Sequence, residues 1–317
     1  MKEKYFFIFL LSVCSITPIK SESNLPLDDP LLDLLSVESK IQSILPTIKS
    51  AVVSIETLEG AGSGVIVSED GLVLTAAHVI GKRDEKMMVT LAGGHKKHAV
   101  SKGGSELSDA GMLQLEKNEL YPYVSLAKPG SSRAGQWCVA LGHPSGFNEE
   151  RGMVLRAGKI LEKKDETLQT NCRLLGGDSG GPLFNLEGEL IGIHSRISKN
   201  PDENFHTTIE SFLSNWNYFL SEEILFLKDI HSAGFLGVIC EQSENGLRII
   251  EVVPYSKADQ MGLLVNDELL RLDSIPLDTR EKLTILISGK SPGEIVILDL
   301  IRDNREIAVK IELGTRK

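Results

Sequence analysis

The chain has 317 residues, of which 41% are hydrophobic and 25% are charged, and its net charge at pH 7 is −10. These proportions are ordinary for globular domains, and the length allows one or two domains, or two and a small third. The negative charge disfavours nucleic acid as the main partner, because phosphate binding needs a basic surface.

Residues 1–23 are predicted to be a secretion signal. Two lysines precede an apolar run at residues 5–13, and small or polar residues follow it. The run is shorter than the roughly 20 apolar residues that a membrane span needs. We therefore expect a bacterial periplasmic or secreted protein. The alternative is a lipid anchor at Cys14, although Val13 is bulkier than a lipoprotein cleavage site normally accepts.

Three cysteines follow the signal: Cys138, Cys172 and Cys240. They allow at most one disulfide, so disulfides are not expected to hold the fold together. Free, buried thiols are predicted for all three.

Residues 24–45 are rich in Leu and Asp and contain no aromatic residue. They are predicted to form a short helix or an arm that packs on another surface. From Ala51 the pattern changes to short apolar runs separated by turns, including a hairpin turn at residues 69–71. This pattern indicates a mainly β protein built from barrels. The expected strands lie near residues 52–57, 65–67, 72–74, 87–91, 112–115, 137–141, 153–160 and 190–193.

A helix is predicted over residues 211–229, where large apolar side chains recur mostly at steps of three and four. A linker follows at residues 231–234, and beyond it a separate small α+β domain is expected. This domain includes a helix capped by Asp278, with Glu281 as the reciprocal capping residue. Its expected strands lie at 235–240, 247–253, 269–272, 294–301 and 306–313.

The stretch from Gly176 to Leu183, GGDSGGPL, places Ser179 between glycines. Flanking glycines leave the hydroxyl open and let neighbouring N–H groups turn toward one point. N–H groups fixed in this way stabilise an oxyanion. A serine hydroxyl also needs a base and a group that orients the base.

His78 follows a strand in GLVLTAAHVI, and Asp109 precedes one in LSDAGML. The chain order His, Asp, Ser is that of the double-barrel serine proteases. The GDSGG segment also fits the Gly-x-Ser-x-Gly elbow of esterases. That elbow requires a helix directly after the serine, whereas residues 182–185 are predicted to form a short strand.

Residues 46–215 resemble the protease domain of the HtrA/Deg family, within the chymotrypsin-like fold. The matching stretches are GSGVIVSEDGLVLTAAHVI, SDAGMLQLE, WCVALGHPSGF, LQTNC and GGDSGGPLFNLEGELIGIHS. The resemblance implies an endopeptidase that acts on unfolded or damaged exported proteins and needs no metal or organic cofactor. It implies His78 as base, Asp109 as its orienting residue and Ser179 as nucleophile. Backbone N–H groups of Gly177, Asp178 and Ser179 are the implied oxyanion hole.

The chain departs from the family pattern in three places. Asp178 replaces an asparagine, so it either faces water or pairs with a cation. Asp109 is followed by Ala-Gly-Met, which we expect to loosen the strand after it. The family's homotrimer packs through aromatic residues in the N-terminal arm, and residues 24–45 have none. A homotrimer is therefore implied only by the family resemblance.

Specificity is predicted to depend on the strand around His194 and Ser195. His194 resembles a position that glutamyl endopeptidases use to hold an acidic side chain. A histidine that points away or is satisfied locally is the alternative, and small or medium apolar substrate residues are the default.

Residues 234–315 resemble a PDZ domain of the HtrA type, through GFLGV, VVPYSKADQMGLLVNDELLRLDSIPL and SGKSPGEIVILDLIRDNREIAVKIEL. The resemblance implies that exposed C-termini bind at Phe235, Leu236, Gly237 and Val238, and that the peptide adds a strand to the sheet edge. The wall opposite is expected to come from Leu283, Leu286 or Ile287.

The predicted division is therefore a signal (1–23), an arm (24–45), a protease domain (46–230) and a PDZ domain (231–317). Two other functions stay open: a catalytically inactive peptide-binding or chaperone protein of the same fold, and a signalling protease regulated by a bound peptide terminus.

Overall fold

The computed structural model describes residues 30–57, 60–81, 85–197, 200, 203–220, 224–225 and 233–315. The predicted signal, the first residues of the arm and the start of the predicted linker lie outside these ranges. None of the helices within the described ranges has the length and apolar character needed to cross a membrane.

Helix α1 (Pro30–Ala51) opens the described chain. A proline suits the first turn, where its missing N–H is not needed. The predicted helix is confirmed, and it continues past residue 45 because Ile48 and Ala51 are buried in the core of the first barrel. Ile44 and Ile48 also lie beside Gly188 in the second barrel. The helix therefore contacts both barrels.

Six strands close the first barrel in the order β1-β2-β3-β6-β5-β4. The predicted hairpin joins β2 to β3. Helix α2 (Ala77–Ile80) follows β3. Strand β5 was not predicted, because its lysines and glycines obscure the apolar alternation. The strands are β1 (Val52–Thr57), β2 (Gly60–Ile66), β3 (Leu72–Thr75), β4 (Lys86–Thr90), β5 (Lys96–Ser105) and β6 (Ala110–Leu115).

The second barrel closes in the order β7-β8-β9-β12-β11-β10. The prediction of a mainly β, double-barrel domain is confirmed. Cys138 and Cys172 are free and buried in this barrel, and Cys240 is free and buried in the C-terminal domain, as predicted. The strands are β7 (Trp137–Gly142), β8 (Val154–Lys164), β9 (Thr167–Thr170), β10 (Pro182–Phe184), β11 (Leu190–Ile197) and β12 (Asn204–Thr208).

The prediction of one helix over residues 211–229 is wrong. The chain forms two short helices, α3 (Ile209–Ser214) and α4 (Trp216–Leu220), and then strand β13 (Ile224–Leu225), which runs parallel to β5. Asn215 interrupts the helix, and its amide group donates a hydrogen bond to a backbone carbonyl of the preceding turn. The apolar spacing arises because both helices place aromatic side chains in the first barrel's core.

The C-terminal domain has its own hydrophobic core and a sheet ordered β15-β16-β17-β19-β20, as expected for a small α+β domain. Its helix α6 is capped by Thr279 and not by Asp278. Thr279 has the extended backbone of an N-cap, and its hydroxyl accepts the N–H of Lys282. The elements are β14 (Gly234–Phe235), β15 (Val238–Gln242), β16 (Leu247–Val252), α5 (Lys257–Gln260), β17 (Glu268–Leu272), β18 (Ile275–Pro276), α6 (Arg280–Ser288), β19 (Ile295–Arg302), β20 (Arg305–Glu312) and β21 (Gly314–Thr315).

Candidate active site

A cleft of about 940 Å³ is lined by loops from both barrels. The first barrel contributes His78 and Asp109, and the second contributes Ser179 and Ser195. The structure thus brings the three predicted catalytic residues to one cleft. No group of His, Cys, Asp or Glu side chains within the described ranges is arranged to hold a metal ion.

The imidazole of His78 is held by the carboxylate of Asp109. Their Nδ1 and Oδ1 atoms lie 2.8 Å apart, and the same oxygen accepts the backbone N–H of His78 at 3.3 Å. The hydroxyl of Ser195 donates a hydrogen bond to Oδ2 of Asp109 at 2.6 Å. The hydrogen bond to Asp109 raises the pKa of His78 above 6.5. The pair therefore has the geometry of a base and its orienting carboxylate.

Gly111 explains the unusual sequence after Asp109. A Cβ at this position would lie 3.1 Å from the carbonyl oxygen of Ala76 and from a methyl group of Ile80. The glycine lets the helix that carries His78 pack closely on β6. The expected loosening is not observed, because strand β6 begins at Ala110, directly after Asp109.

Ser179 lines the cleft, and its carbonyl accepts the N–H of Ser63 at 2.8 Å. Within the described ranges its hydroxyl makes no hydrogen bond to the imidazole of His78. Catalytic hydrogen bonds are often long or unformed in unliganded enzymes and tighten when substrate binds. Strand β10 follows the serine, as predicted, so the strand–serine–helix arrangement of an esterase elbow is absent from this described segment.

The loop before Ser179 is fixed through its carbonyl groups. The carbonyl of Gly176 accepts the N–H of Ser145 at 2.7 Å, and that of Gly177 accepts the Ser63 hydroxyl at 2.9 Å. The carbonyl of Asp178 accepts the N–H of Gly181 at 2.8 Å. Because N–H and C=O point in opposite directions across a trans peptide, fixing a carbonyl also fixes the following N–H.

The prediction that the N–H of Asp178 belongs to the oxyanion hole is wrong, because this N–H donates to the carbonyl of Leu175 at 3.0 Å. The N–H groups of Gly177 and Ser179 donate to no backbone carbonyl in the described chain. Of the two expectations for the Asp178 side chain, pairing with a cation is the one observed. Its Oδ2 lies 2.9 Å from Nη2 of Arg156.

The prediction that His194 belongs to the specificity pocket is also wrong, because His194 is not among the residues that line the cleft. It is fully buried, and its Nδ1 lies 2.9 Å from Nδ1 of His206, whose Nε2 contacts the hydroxyl of Thr170 at 2.8 Å. Burial lowers the pKa of both imidazoles, that of His206 to about 3. A neutral, enclosed histidine cannot hold an acidic substrate side chain. Ser195, predicted in the same pocket, does line the cleft and also orients Asp109.

Three supporting residues were missed from the sequence. Ser63 joins the first barrel to the nucleophile loop, and the Thr207 hydroxyl donates to the carbonyl of Ser108 at 2.6 Å, next to Asp109. Arg156 binds Asp178. In the sequence, Ser63 lies in a Gly-Ser-Gly segment, and Arg156 is a charged residue within a mainly apolar run. Neither feature indicates which residue the side chain contacts.

A second, smaller groove lies in the C-terminal domain between the β14–β15 segment and helix α6. The predicted residues Phe235, Leu236, Gly237 and Val238 line it together with Leu283 and Ile287; Leu286 is not among its lining residues. Gly237 has φ +92°, and a Cβ there would overlap Ser256.

Comparison with known proteins agrees with this architecture. A model of the trypsin-like peptidase domain matches residues 62–193, and a model of the PDZ domain matches residues 234–313. The chain is therefore a trypsin-like peptidase domain followed by a PDZ domain. It is of the HtrA/Deg type, and the family recognised from the sequence is confirmed.

Its relatives are named as periplasmic serine endoproteases. A probable periplasmic serine endoprotease DegP-like of Ectopseudomonas mendocina (strain ymp) is 31% identical over 277 residues, covering 81% of this chain and 57% of the relative. The periplasmic pH-dependent serine endoprotease DegQ of Escherichia coli (strain K12) is 30% identical over 278 residues, covering 82% of this chain and 60% of that protein. The chain thus spans less than two thirds of the length of these relatives.

Two solved structures share the fold. The serine endoprotease from Yersinia pestis has a TM-score of 0.56 at 25% identity, covering 87% of this chain and 98% of that one. The HtrA-type protease AlgW with a tripeptide has a TM-score of 0.58 at 23% identity, covering 87% and 97%.

Proposed function

We propose that this protein is an exported serine endopeptidase that cleaves unfolded or damaged polypeptides in the periplasm. The observation that carries the proposal is the hydrogen-bonded set of His78, Asp109 and Ser195 in the cleft that Ser179 also lines. The periplasmic naming of the relatives supports the location.

In the proposed reaction, the hydroxyl of Ser179 attacks the scissile carbonyl while His78 takes its proton. The N–H groups of Gly177 and Ser179 stabilise the oxyanion. His78 then protonates the leaving amine, and water activated by the same imidazole hydrolyses the acyl-enzyme. Small or medium apolar side chains remain the expected residues before the cleaved bond.

The test is the rate at which unfolded casein is digested. Ser179→Ala should abolish both digestion and labelling by a fluorophosphonate, whereas Ser131→Ala, at an exposed serine outside the cleft, should retain both. Digestion by the Ser179→Ala protein at the parent rate would refute the proposal. A parent that neither labels nor digests casein would favour the inactive chaperone instead.

A second candidate is a protease whose activity depends on peptide binding to the PDZ domain. One contact favours it: Arg280, the first residue of helix α6, lines the active-site cleft and lies 3.7 Å from Asp165 of the second barrel. The homotrimer and the lipid anchor at Cys14 stay predictions, and Cys14 lies outside the described residues.

A further inference from the structure

Asp178 and Arg156 form an ion pair inside the second barrel. The side chain of Asp178 is 0% exposed and that of Arg156 is 14% exposed, with 2.9 Å between Oδ2 and Nη2. Arg156 belongs to β8, where it pairs with Ala140 of β7. The cation is therefore supplied by a rigid element of the barrel and reaches a loop residue that precedes the nucleophile.

The carboxylate also fixes the loop that holds the N–H groups of Gly177 and Ser179, which donate to no backbone carbonyl among the described residues. Oδ2 of Asp178 accepts the N–H of Leu175 at 2.8 Å, while the N–H of Asp178 returns to the carbonyl of Leu175. Gly177 precedes Asp178 and Ser179 follows it. A displacement of the Asp178 side chain would rotate the peptide groups on both sides, and with them the N–H groups of Gly177 and Ser179.

The geometry of this ion pair is unfavourable for stabilising the folded protein. Oδ1 of Asp178 and Nη1 of Arg156 are buried and have no hydrogen-bond partner among the described residues. Buried ion pairs with unsatisfied atoms contribute little net stability, because both charges lose their hydration. Such an arrangement is more readily explained by a role in the site, which lies on the same loop.

We propose that Arg156 is a positioning residue for the reaction. Its guanidinium holds the Asp178 carboxylate, which keeps the N–H groups of Gly177 and Ser179 directed at the substrate carbonyl oxygen. The inference rests on the proposed endopeptidase function. Because the cation comes from β8, the oxyanion hole is assembled when the second barrel folds.

The test replaces the two residues singly and together, as Arg156→Met, Asp178→Asn and the double variant. Each single variant leaves one buried charge unpaired, so the loop should move and kcat should fall by about 100-fold, the typical loss for one oxyanion donor. KM should change little. The double variant leaves no unpaired charge, and an asparagine can still accept the N–H of Leu175, so kcat should recover at least about tenfold. Fluorophosphonate labelling rates should change in the same order.

The PDZ domain offers a matched control. There the buried carboxylate of Asp267 accepts the N–H of Leu264 at 2.8 Å and pairs with Arg302 at 2.6 Å. This arrangement repeats that of Leu175, Asp178 and Arg156, away from the cleft. Arg302→Met should lower the unfolding temperature but leave the labelling rate of folded protein unchanged.

The possible results separate the two proposals. A parent protein that neither labels nor cleaves casein overturns the proposed function. A parent that does both, with single variants that label at its rate, overturns only the role of Arg156, even where their unfolding temperatures fall. If Arg156→Met does not fold, Arg156→Lys keeps a positive charge but not the planar fork. A folded Arg156→Lys protein should show a lowered kcat, and an unchanged kcat overturns the inference.

Discussion

The pKa of His78 sets the acid limit of the proposed activity. The imidazole acts as a base only when neutral, and its hydrogen bond to Asp109 raises its pKa above 6.5. We therefore expect kcat/KM to fall as the pH decreases through a value above 6.5. Asp109→Asn removes the cause of the shift, so the midpoint should move to lower pH and kcat should fall by about 10⁴-fold. Profiles of kcat/KM against pH for a peptide substrate measure both effects.

Ser195→Ala is the control at this site. It removes the hydrogen bond to the other oxygen of Asp109 but keeps the carboxylate charge. The acid midpoint should stay above 6.5, and kcat should fall by about tenfold, the loss typical of a hydrogen bond to a charged group. Coincident midpoints for the parent and Asp109→Asn would contradict the assignment of Asp109.

The predictability of each site residue depends on what surrounds it in the chain. His78, Asp109 and Ser179 could be singled out because small residues and a neighbouring strand accompany each. The role of Asp178 could not be predicted from its surroundings in the chain. Its N–H forms a hydrogen bond within a turn, and its carboxylate pairs with Arg156, which belongs to another strand. His194 matched a known position, but its burial follows from barrel packing that no local pattern records.

At the scale of elements, the packing of α2 on β6 positions the base. Gly111→Val should push α2 away, because even the first added carbon would lie 3.1 Å from a backbone oxygen and a methyl group. We expect at least a tenfold loss of kcat and a decrease of about 1–3 kcal/mol in the free energy of unfolding. Fluorophosphonate labelling and urea denaturation measure the two effects.

Gly93→Ala is the matched control, because its added carbon meets only the His95 ring, at 3.5 Å or more. It should leave labelling unchanged. A Gly111→Val protein that labels at the parent rate would show that α2 adjusts without moving His78.

The strands were predictable where a short, nearly continuous apolar run lies between turns, as in β3, β7 and β11. Strand β5 lacks such an apolar run and is formed by pairing with β4 and β6, the strands that precede and follow it in the chain, and a local pattern does not record this pairing. Residues 211–229 show the opposite error: helical spacing was present, but Asn215 and the pairing of β13 with β5 divide the segment. Local periodicity therefore predicts which positions are buried better than it predicts whether a helix is continuous.

At the scale of the whole molecule, helix α6 connects the two grooves. Leu283 and Ile287 line the peptide groove, and Arg280 at the start of the helix contacts Asp165 in the turn between β8 and β9. A peptide that shifts α6 would therefore move a side chain in the active-site cleft. Both side chains of the ion pair are about half exposed, so the contact transmits at most about 1 kcal/mol.

This limit gives the size of the expected regulation. A peptide with an apolar C-terminal residue should raise kcat/KM of the parent by no more than about fivefold. Arg280→Ala should bind the same peptide, measured by fluorescence polarisation, but show no activation. Lys282→Ala is the control on the same helix, because Lys282 pairs with Asp278 of its own domain, and it should be activated like the parent. Equal activation of the parent and Arg280→Ala would show that Arg280 does not connect the peptide groove to the active site. If the peptide does not activate the parent, the protein is a protease that peptide binding does not regulate.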